Sequence, residues 1–396
     1  MVGQSAKSVR RTFLSLVTAL LLLAVGGTIF SFWPPVQAGI SCKRVANKPL
    51  CYTDLINTVL KTRGLSAAFD VLAAAYDADT SFASTCHAVT HDLGKAAYEK
   101  FHRTGKFDLT NKVAYCGFGF YHGFIDALLV ETKDYAEARA FCRAAGEEFP
   151  YPIGVAERNC YHGIGHGITD GNDPRLWGSA VEIAAPGLVL CDQVATSTLL
   201  RGHCYSGVFN GLAAVMTERK FKLDVGGDPY ALCETHTYTS LMKERCYTQF
   251  NAHVYSFANS NFTKALAVGM SVANPEYRLV AIHSVARFAV HDIDLHTSDE
   301  AARRISSACN SLAAPYRFEC IAGIIQGVFT YGTPNEEQSD AVRLCNSESL
   351  DRSLRRDCFG ELLKTVALLY PPALIGPLCD QTPAQYRTTY CSPQKQ

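Results

Sequence analysis

Two pairs of histidines, each four residues apart, suggest the first chemistry. His87 and His91 lie in TCHAVTHDL, which starts at Thr85, and His162 and His166 lie in CYHGIGHGI, which starts at Cys160. Residues four apart share one face of a helix, so both rings of a pair can reach one ion. His122, in CGFGFYHGF from Cys116, falls between the two pairs. Neutral imidazole suits zinc, copper, iron and nickel. The five rings are therefore candidate ligands of a transition metal, with copper, iron or zinc expected. Asp92, Asp126 and Asp170 stand beside them in the sequence. They are candidates to complete the ligand set, orient ring nitrogens or transfer protons in catalysis. Two of the rings could instead hold a haem axially, without covalent attachment. The alternative to all of these is a set of buried polar residues that tie helices together by hydrogen bonds.

A second group carries different chemistry. His283, Arg287 and His291 are again spaced by four, and Asn210 occupies the position that matches His166. This group reads as a polar network or as contacts to a substrate anion, which Arg287 could grip through two parallel hydrogen bonds. Asp292 and Asp294 are alternative partners for that guanidinium. His203 stands one place before its cysteine and is expected to face elsewhere.

These residues recur because the chain repeats. Segments beginning at residues 116, 160, 204, 246, 281, 320 and 358 align, at intervals of 44, 44, 42, 35, 39 and 38, and the Thr85 segment is a shorter first copy. A period near 40 marks a helical hairpin repeat. Asp173-Pro174, Asp228-Pro229, Asn274-Pro275 and Ala314-Pro315 read as helix starts. Little of the chain alternates with period two, so strands should be few. Glycine recurs three and seven places after the start, as Gly119 with Gly123, Gly163 with Gly167, Gly207 with Gly211, and Gly323 with Gly327. Mid-helix glycine costs about 1 kcal/mol against alanine, so four pairs point to backbones packed closely together. The polar stripe lies beside them, at two and six places after the start, with Asp126, Asp170 and His291 one turn further on.

The chain has 16 cysteines. An even, scattered set reads as disulfides in an oxidising compartment. Separations of 11 to 18 residues pair Cys142 with Cys160, Cys191 with Cys204, Cys233 with Cys246, Cys309 with Cys320, and Cys345 with Cys358. The copy at 281 lacks both members, as a bond within one repeat requires. Cys379 with Cys391, Cys86 with Cys116, and Cys42 with Cys51 complete the set. No CxxC occurs, which excludes zinc-ribbon and thioredoxin readings, and no GxSxG nucleophile turn occurs either. HDLGK at 91–95 is similar to the His-Asp motif of metal phosphohydrolases. The likeness covers five residues without the partner motifs, so it implies no activity here.

Residues 1–38 read as a signal peptide or a membrane anchor, with a basic start, an apolar segment over 12–33 and a Val-x-Ala site before Gly39. Either reading places the body outside the cytoplasm, periplasmic or secreted, with a membrane contact if the segment is retained. Basic and acidic residues balance at 37 each. Without Lys7, Arg10 and Arg11 the body is slightly acidic, which argues against nucleic acid as a partner. The expected fold is all-α, with tandem disulfide-stapled helical hairpins forming a curved α/α solenoid or toroid. Residues 39–80 form a lead-in closed by Cys42–Cys51, and 81–396 form a single repeat domain. The expected function is an exported metal-binding protein, with a metal-dependent oxidoreductase favoured over a hydrolase. It would act on a small molecule or a peptide through a concave face. The alternatives are a non-enzymatic scaffold for a protein or peptide, and a metal or haem storage or delivery protein.

Overall fold

The computed structural model describes residues 42–391, apart from 43, 80–81, 106–109, 150–153, 170–178, 218–226, 292, 294, 297, 334–335 and 371–374. The leader 1–38, Asp170, the Asp173-Pro174 start, Asp292 and Asp294 thus lie outside the described residues. Among the described residues all regular structure is helical, and no helix is long and apolar enough to cross a membrane.

The contacts divide the chain between Phe82 and Ala83 into two units. The first holds α1 (Lys48–Arg63) and α2 (Leu65–Ala78), with Asn47 capping α1 by accepting from the Leu50 amide. Cys42–Cys51 ties the lead-in to α1. The buried Asp79 carboxylate is matched by Lys48 at 3.1 Å and by the Tyr52 hydroxyl at 3.1 Å.

The second unit continues with α3 (Ala83–Thr104), α4 (Gly119–Thr132), α5 (Tyr135–Glu148), α6 (Val155–Ile168), α7 (Ala180–Val194) and α8 (Thr198–Thr217). Then come α9 (Ser240–Gln249), α10 (Asn251–Phe257), α11 (Phe262–Met270), α12 (Pro275–Ala289) and α13 (Asp299–Asn310). It ends with α14 (Tyr316–Tyr331), α15 (Glu337–Cys345), α16 (Arg352–Leu369) and α17 (Ile375–Gln381). The helices that begin each repeat pack in an unbroken row, α3 on α4, then α6, α8, α9, α12, α14 and α16. Others pack against them: α5 lies on α6, α7 on α8, α11 on α12, α13 on α14 and α15 on α16. Disulfides pin four of these cover segments to the row, through Cys142–Cys160, Cys191–Cys204, Cys309–Cys320 and Cys345–Cys358. Cys86–Cys116, Cys233–Cys246 and Cys379–Cys391 complete the expected pairing. On the chain-entropy estimate, each loop of this size stabilises by about 3 kcal/mol.

Caps set the helix starts. Asn274 accepts from the Glu276 and Tyr277 amides ahead of Pro275, and α14 follows Ala314-Pro315. At Asp228-Pro229 the structure differs from expectation. Asp228 accepts from the Tyr230 amide, but only a single 3₁₀ turn follows, Ala231–Glu234, before Thr239 caps α9. The short span between these two caps leaves no length for a cover helix.

The paired glycines set the spacing of the row. A Cβ at Gly119 would crowd the His87 carbonyl, and one at Gly123 would overlap the His91 carbonyl. Gly163 meets the Tyr121 carbonyl, where a Cβ would come within 2.9 Å, and Gly207 would overlap the His162 carbonyl. Gly323 and Gly327 stand in the same way against His283 and Arg287. Each glycine position thus rests on the peptides of the polar stripe in the preceding helix. Side chains on that stripe are thereby drawn towards those of the next helix. The copy at 246 carries Gln249 and His253 at these places, and its row helix is broken at Phe250 into α9 and α10. Asn251 and Ser284 bridge that joint instead: Asn251 Nδ2 donates to Ser284 Oγ at 3.1 Å, and Ser284 Oγ donates to the Thr248 carbonyl.

Candidate metal centre

The spacing of α3, α4 and α6 brings all five expected imidazoles together. Ring centroids lie 4.7 Å apart for His87 and His91, 5.2 Å for His87 and His122, and 4.8 Å for His91 and His122. His166 stands 5.4 Å from His91 and 4.9 Å from His122, and His162 stands 4.8 Å from His122.

The five do not play one geometric part. His87, His91 and His122 offer nitrogens that all lie within 4.8 Å of one another, an arrangement able to hold a metal ion. His91 Nε2 is 3.1 Å from His87 Nε2 and 3.0 Å from His122 Nδ1. Two nitrogens on one tetrahedral ion, with bonds of 2.0–2.1 Å, stand about 3.3 Å apart, so little movement separates the two geometries. By contrast, His162 and His166 lie nearly parallel to the His122 ring, at 19° and 14°, and face it flat. They form a wall of the site. His91 stands too close to His87 and to His122 for a porphyrin plane to pass between it and either ring, with nitrogens 3.1 and 3.0 Å apart.

The tautomer of one ligand is set by the backbone. His87 Nδ1 lies 2.7 Å from the Cys116 carbonyl oxygen. A carbonyl can only accept, so Nδ1 carries the hydrogen and Nε2 keeps its lone pair towards His91. Backbone carbonyls play this orienting part behind many metal-bound imidazoles. The carbonyl is aimed by a left-handed run, with φ of 55° at Cys116, 65° at Gly117 and 64° at Phe118. Phenylalanine and cysteine rarely adopt such angles, and each costs about 1–3 kcal/mol, which is the kind of strain found at functional sites.

Electrostatics keep the rings neutral. Burial holds His122 and His91 well below the usual imidazole range, and the neighbouring rings lower both further. Burial brings His162 down to about 3 and His166 to about 4. Burial also lowers His87, with the Cys116 carbonyl opposing it. Yet His87 is exposed to water. It is the exposed member of the triad, which leaves a route for an ion or a small molecule. Neutral rings with free lone pairs are the form that binds metal.

The expected carboxylates fall in different places. Asp92 stands at the seventh place of its copy, the slot that glycine fills in later helices, so it turns away from the rings and is exposed. Asp126 lies on the stripe, but Lys95 holds it at 2.9 Å, and its buried Oδ1 has no hydrogen-bond partner among the described residues. Lys95 lowers the pKa of both His91 and His166, which puts it close to the rings. Sequence reasoning overlooked it, although it occupies the tenth place of the first copy, equivalent to Asp126 and His291. Asn210 hydrogen-bonds His162 and opposes its low pKa. His203 was expected to face away, yet its charge also bears on His162, so it lies near that side of the cluster.

The second group forms a closed network. His283 Nδ1 meets Glu319 at 3.0 Å and its Nε2 meets Gln326 Oε1 at 3.0 Å. Gln326 Nε2 donates to Glu361 at 3.3 Å, and Lys364 pairs with Glu361 at 3.0 Å. Glu361 fills the third place of its copy, where glycine stands elsewhere, and that substitution was the available signal for it. Arg287 and His291 lie outside this chain of bonds. His291 stacks on Phe288 at 5.3 Å and 7°.

No protein family, curated protein or solved structure matches the chain, so the reading of the site rests on its geometry.

Proposed function

We propose that the protein is an exported metalloprotein that holds one transition-metal ion on His87, His91 and His122. One observation carries the reading. Three imidazole nitrogens from two helices converge, with His91 Nε2 at hydrogen-bond distance from the other two and no carboxylate, amide or hydroxyl of the described residues bonded to them there. With the His87 hydrogen committed to the Cys116 carbonyl, at most one N–H, on His91 or on His122, is left to share among the three nitrogens. A metal ion satisfies all three. An all-imidazole set favours zinc, copper or iron over magnesium and calcium. The eight disulfides fit an oxidising, extracytoplasmic setting.

Three protein ligands leave a position open for a substrate, the pattern of catalytic sites. We favour a metal-dependent oxidoreductase over a hydrolase. Hydrolysis needs a base beside the metal, and among the described residues of α3, α4 and α6 the stripe carboxylate, Asp126, is paired with Lys95. When bound, the metal would supply Lewis acidity or electron transfer. His87 is oriented by the Cys116 carbonyl, and His162 and His166 wall the site with neutral rings. Elemental analysis of the purified full chain tests the reading. About one equivalent of transition metal is expected, falling towards zero in His91→Ala with the helical spectrum unchanged. A folded protein that neither retains nor takes up zinc, copper or iron would favour the scaffold reading.

A further inference from the structure

The two helices that carry the triad carry a second polar layer one turn further on. Lys95 follows His91 by four residues on α3, and Asp126 follows His122 by four on α4. Residues so spaced share a helix face, with Cβ atoms about 5–6 Å apart. His91 Nε2 and His122 Nδ1 meet across the two helices at 3.0 Å, and Lys95 Nζ meets Asp126 Oδ2 in the same way at 2.9 Å. The ion pair therefore lies one helical turn from the triad, on the same two helices.

The backbone around this pair is tightly held. Gly94, the residue before Lys95, has no room for a Cβ against the Phe120 carbonyl of α4. Gly123, the residue after His122, has none against the His91 carbonyl of α3. Gly167 of α6, the residue after His166, would bring a Cβ within 3.0 Å of the Asp126 Cα. A half-exposed ion pair adds little to stability, so these contacts rather than the pair hold the helices together. The pair is also lopsided, for the Asp126 side chain is 15% exposed and the Lys95 side chain 49%. Its carboxylate is the inner end and its ammonium the outer one, so a charge arriving from water meets the positive end. His87 is exposed as well. An ammonium has three donors and can hold an anion while it stays on Asp126. Three neutral imidazoles leave a bound dication its full charge, and Lys95 adds a further positive charge beside it.

We propose that Lys95 makes the open position of the metal selective for anions, by contacting a negatively charged group that the metal also binds. The substrate class is then a small molecule that reaches the metal with an anionic group, and neutral ligands gain nothing from the lysine. A charge-assisted contact of this kind is stronger than one between neutral groups. The inference rests on the metalloprotein reading, but the two fail separately.

The cobalt(II)-loaded full chain, titrated with azide and with neutral imidazole and followed by visible absorption, tests the proposal. Cobalt accepts imidazole ligands, and its spectrum reports a ligand that enters the open position. Both probes should bind wild type. Lys95→Gln should weaken azide binding by roughly tenfold or more, the loss of one charge-assisted contact, and leave imidazole binding unchanged. Lys95→Met should do the same, and it serves if Lys95→Gln does not fold. Lys95→Arg, which keeps the charge, should stay close to wild type. Equal weakening of azide and imidazole would overturn the proposal, by assigning Lys95 to the shape of the metal site. Azide binding that the uncharged variants leave unchanged would overturn it too, whatever the unfolding temperature does. So would a wild-type spectrum that azide does not alter. A folded chain that takes up no metal, cobalt included, would instead sink the metalloprotein reading, and this inference with it.

Discussion

On α3, α4 and α6 the polar stripe holds only imidazoles, whereas on α12, α14 and α16 it holds His283, Gln326 and Lys364. Glycines of α14 rest on the stripe carbonyls of α12 as glycines of α4 rest on those of α3. What differs is how donors and acceptors balance. In the later region His283 lies between oxygens of Glu319 and Gln326, Gln326 donates to Glu361, and Lys364 pairs with Glu361. In the earlier region three nitrogens face one another with one hydrogen to share. The later stripe is complete as protein, and the earlier one is completed by a cation. A histidine at a given repeat position thus says little until its neighbours are known.

The largest expected effect separates the two regions outright. His91→Ala should lower zinc affinity by roughly a hundredfold or more, while His283→Leu should leave it unchanged; equilibrium dialysis reads both. Equal losses from the two variants would remove the distinction. Next come the glycines. Gly123→Ala and Gly327→Ala each force a methyl onto a carbonyl of the preceding helix. Each should destabilise by about 1–3 kcal/mol in denaturant titration, but only Gly123→Ala should also weaken zinc binding. Breaking the later network by His283→Leu should cost about 1–3 kcal/mol, because Glu319 and Gln326 lose their partner.

The smallest effect is one of pH. His162 and His166 have folded pKa values of about 3 and about 4, below the roughly 6.5 of an unfolded histidine. Between about pH 4 and 6.5 the unfolded chain binds the extra protons, so stability rises with pH across that window and is lost as acid is added. His166→Asn should flatten this slope in metal-free protein, followed by thermal unfolding at several pH values. An unchanged slope would show that the ring is not held neutral by the fold.

Much of this was legible in the chain because it depends on repeat arithmetic. Cysteine spacing gave every disulfide, and the recurring glycines gave the close packing and the shared stripe. The parts that stayed hidden depend on local geometry. Nothing in the residue types says that His122 turns its edge to His91 and its flat face to His162 and His166. The left-handed run at Cys116, Gly117 and Phe118 is equally silent, since only one of the three is glycine. The division of one row helix at Phe250 is silent too, since α3, α12 and α16 also lack both glycines and run unbroken. Asp92 could have been set aside by counting, because its place is a glycine slot.

X-ray absorption at the metal edge of the loaded protein tests the central claim most directly. The account predicts a first shell containing three imidazole nitrogens at about 2.0–2.1 Å, with one imidazole lost in His91→Ala. A shell with sulfur or carboxylate in place of imidazole, or one that His91→Ala leaves intact, would contradict it.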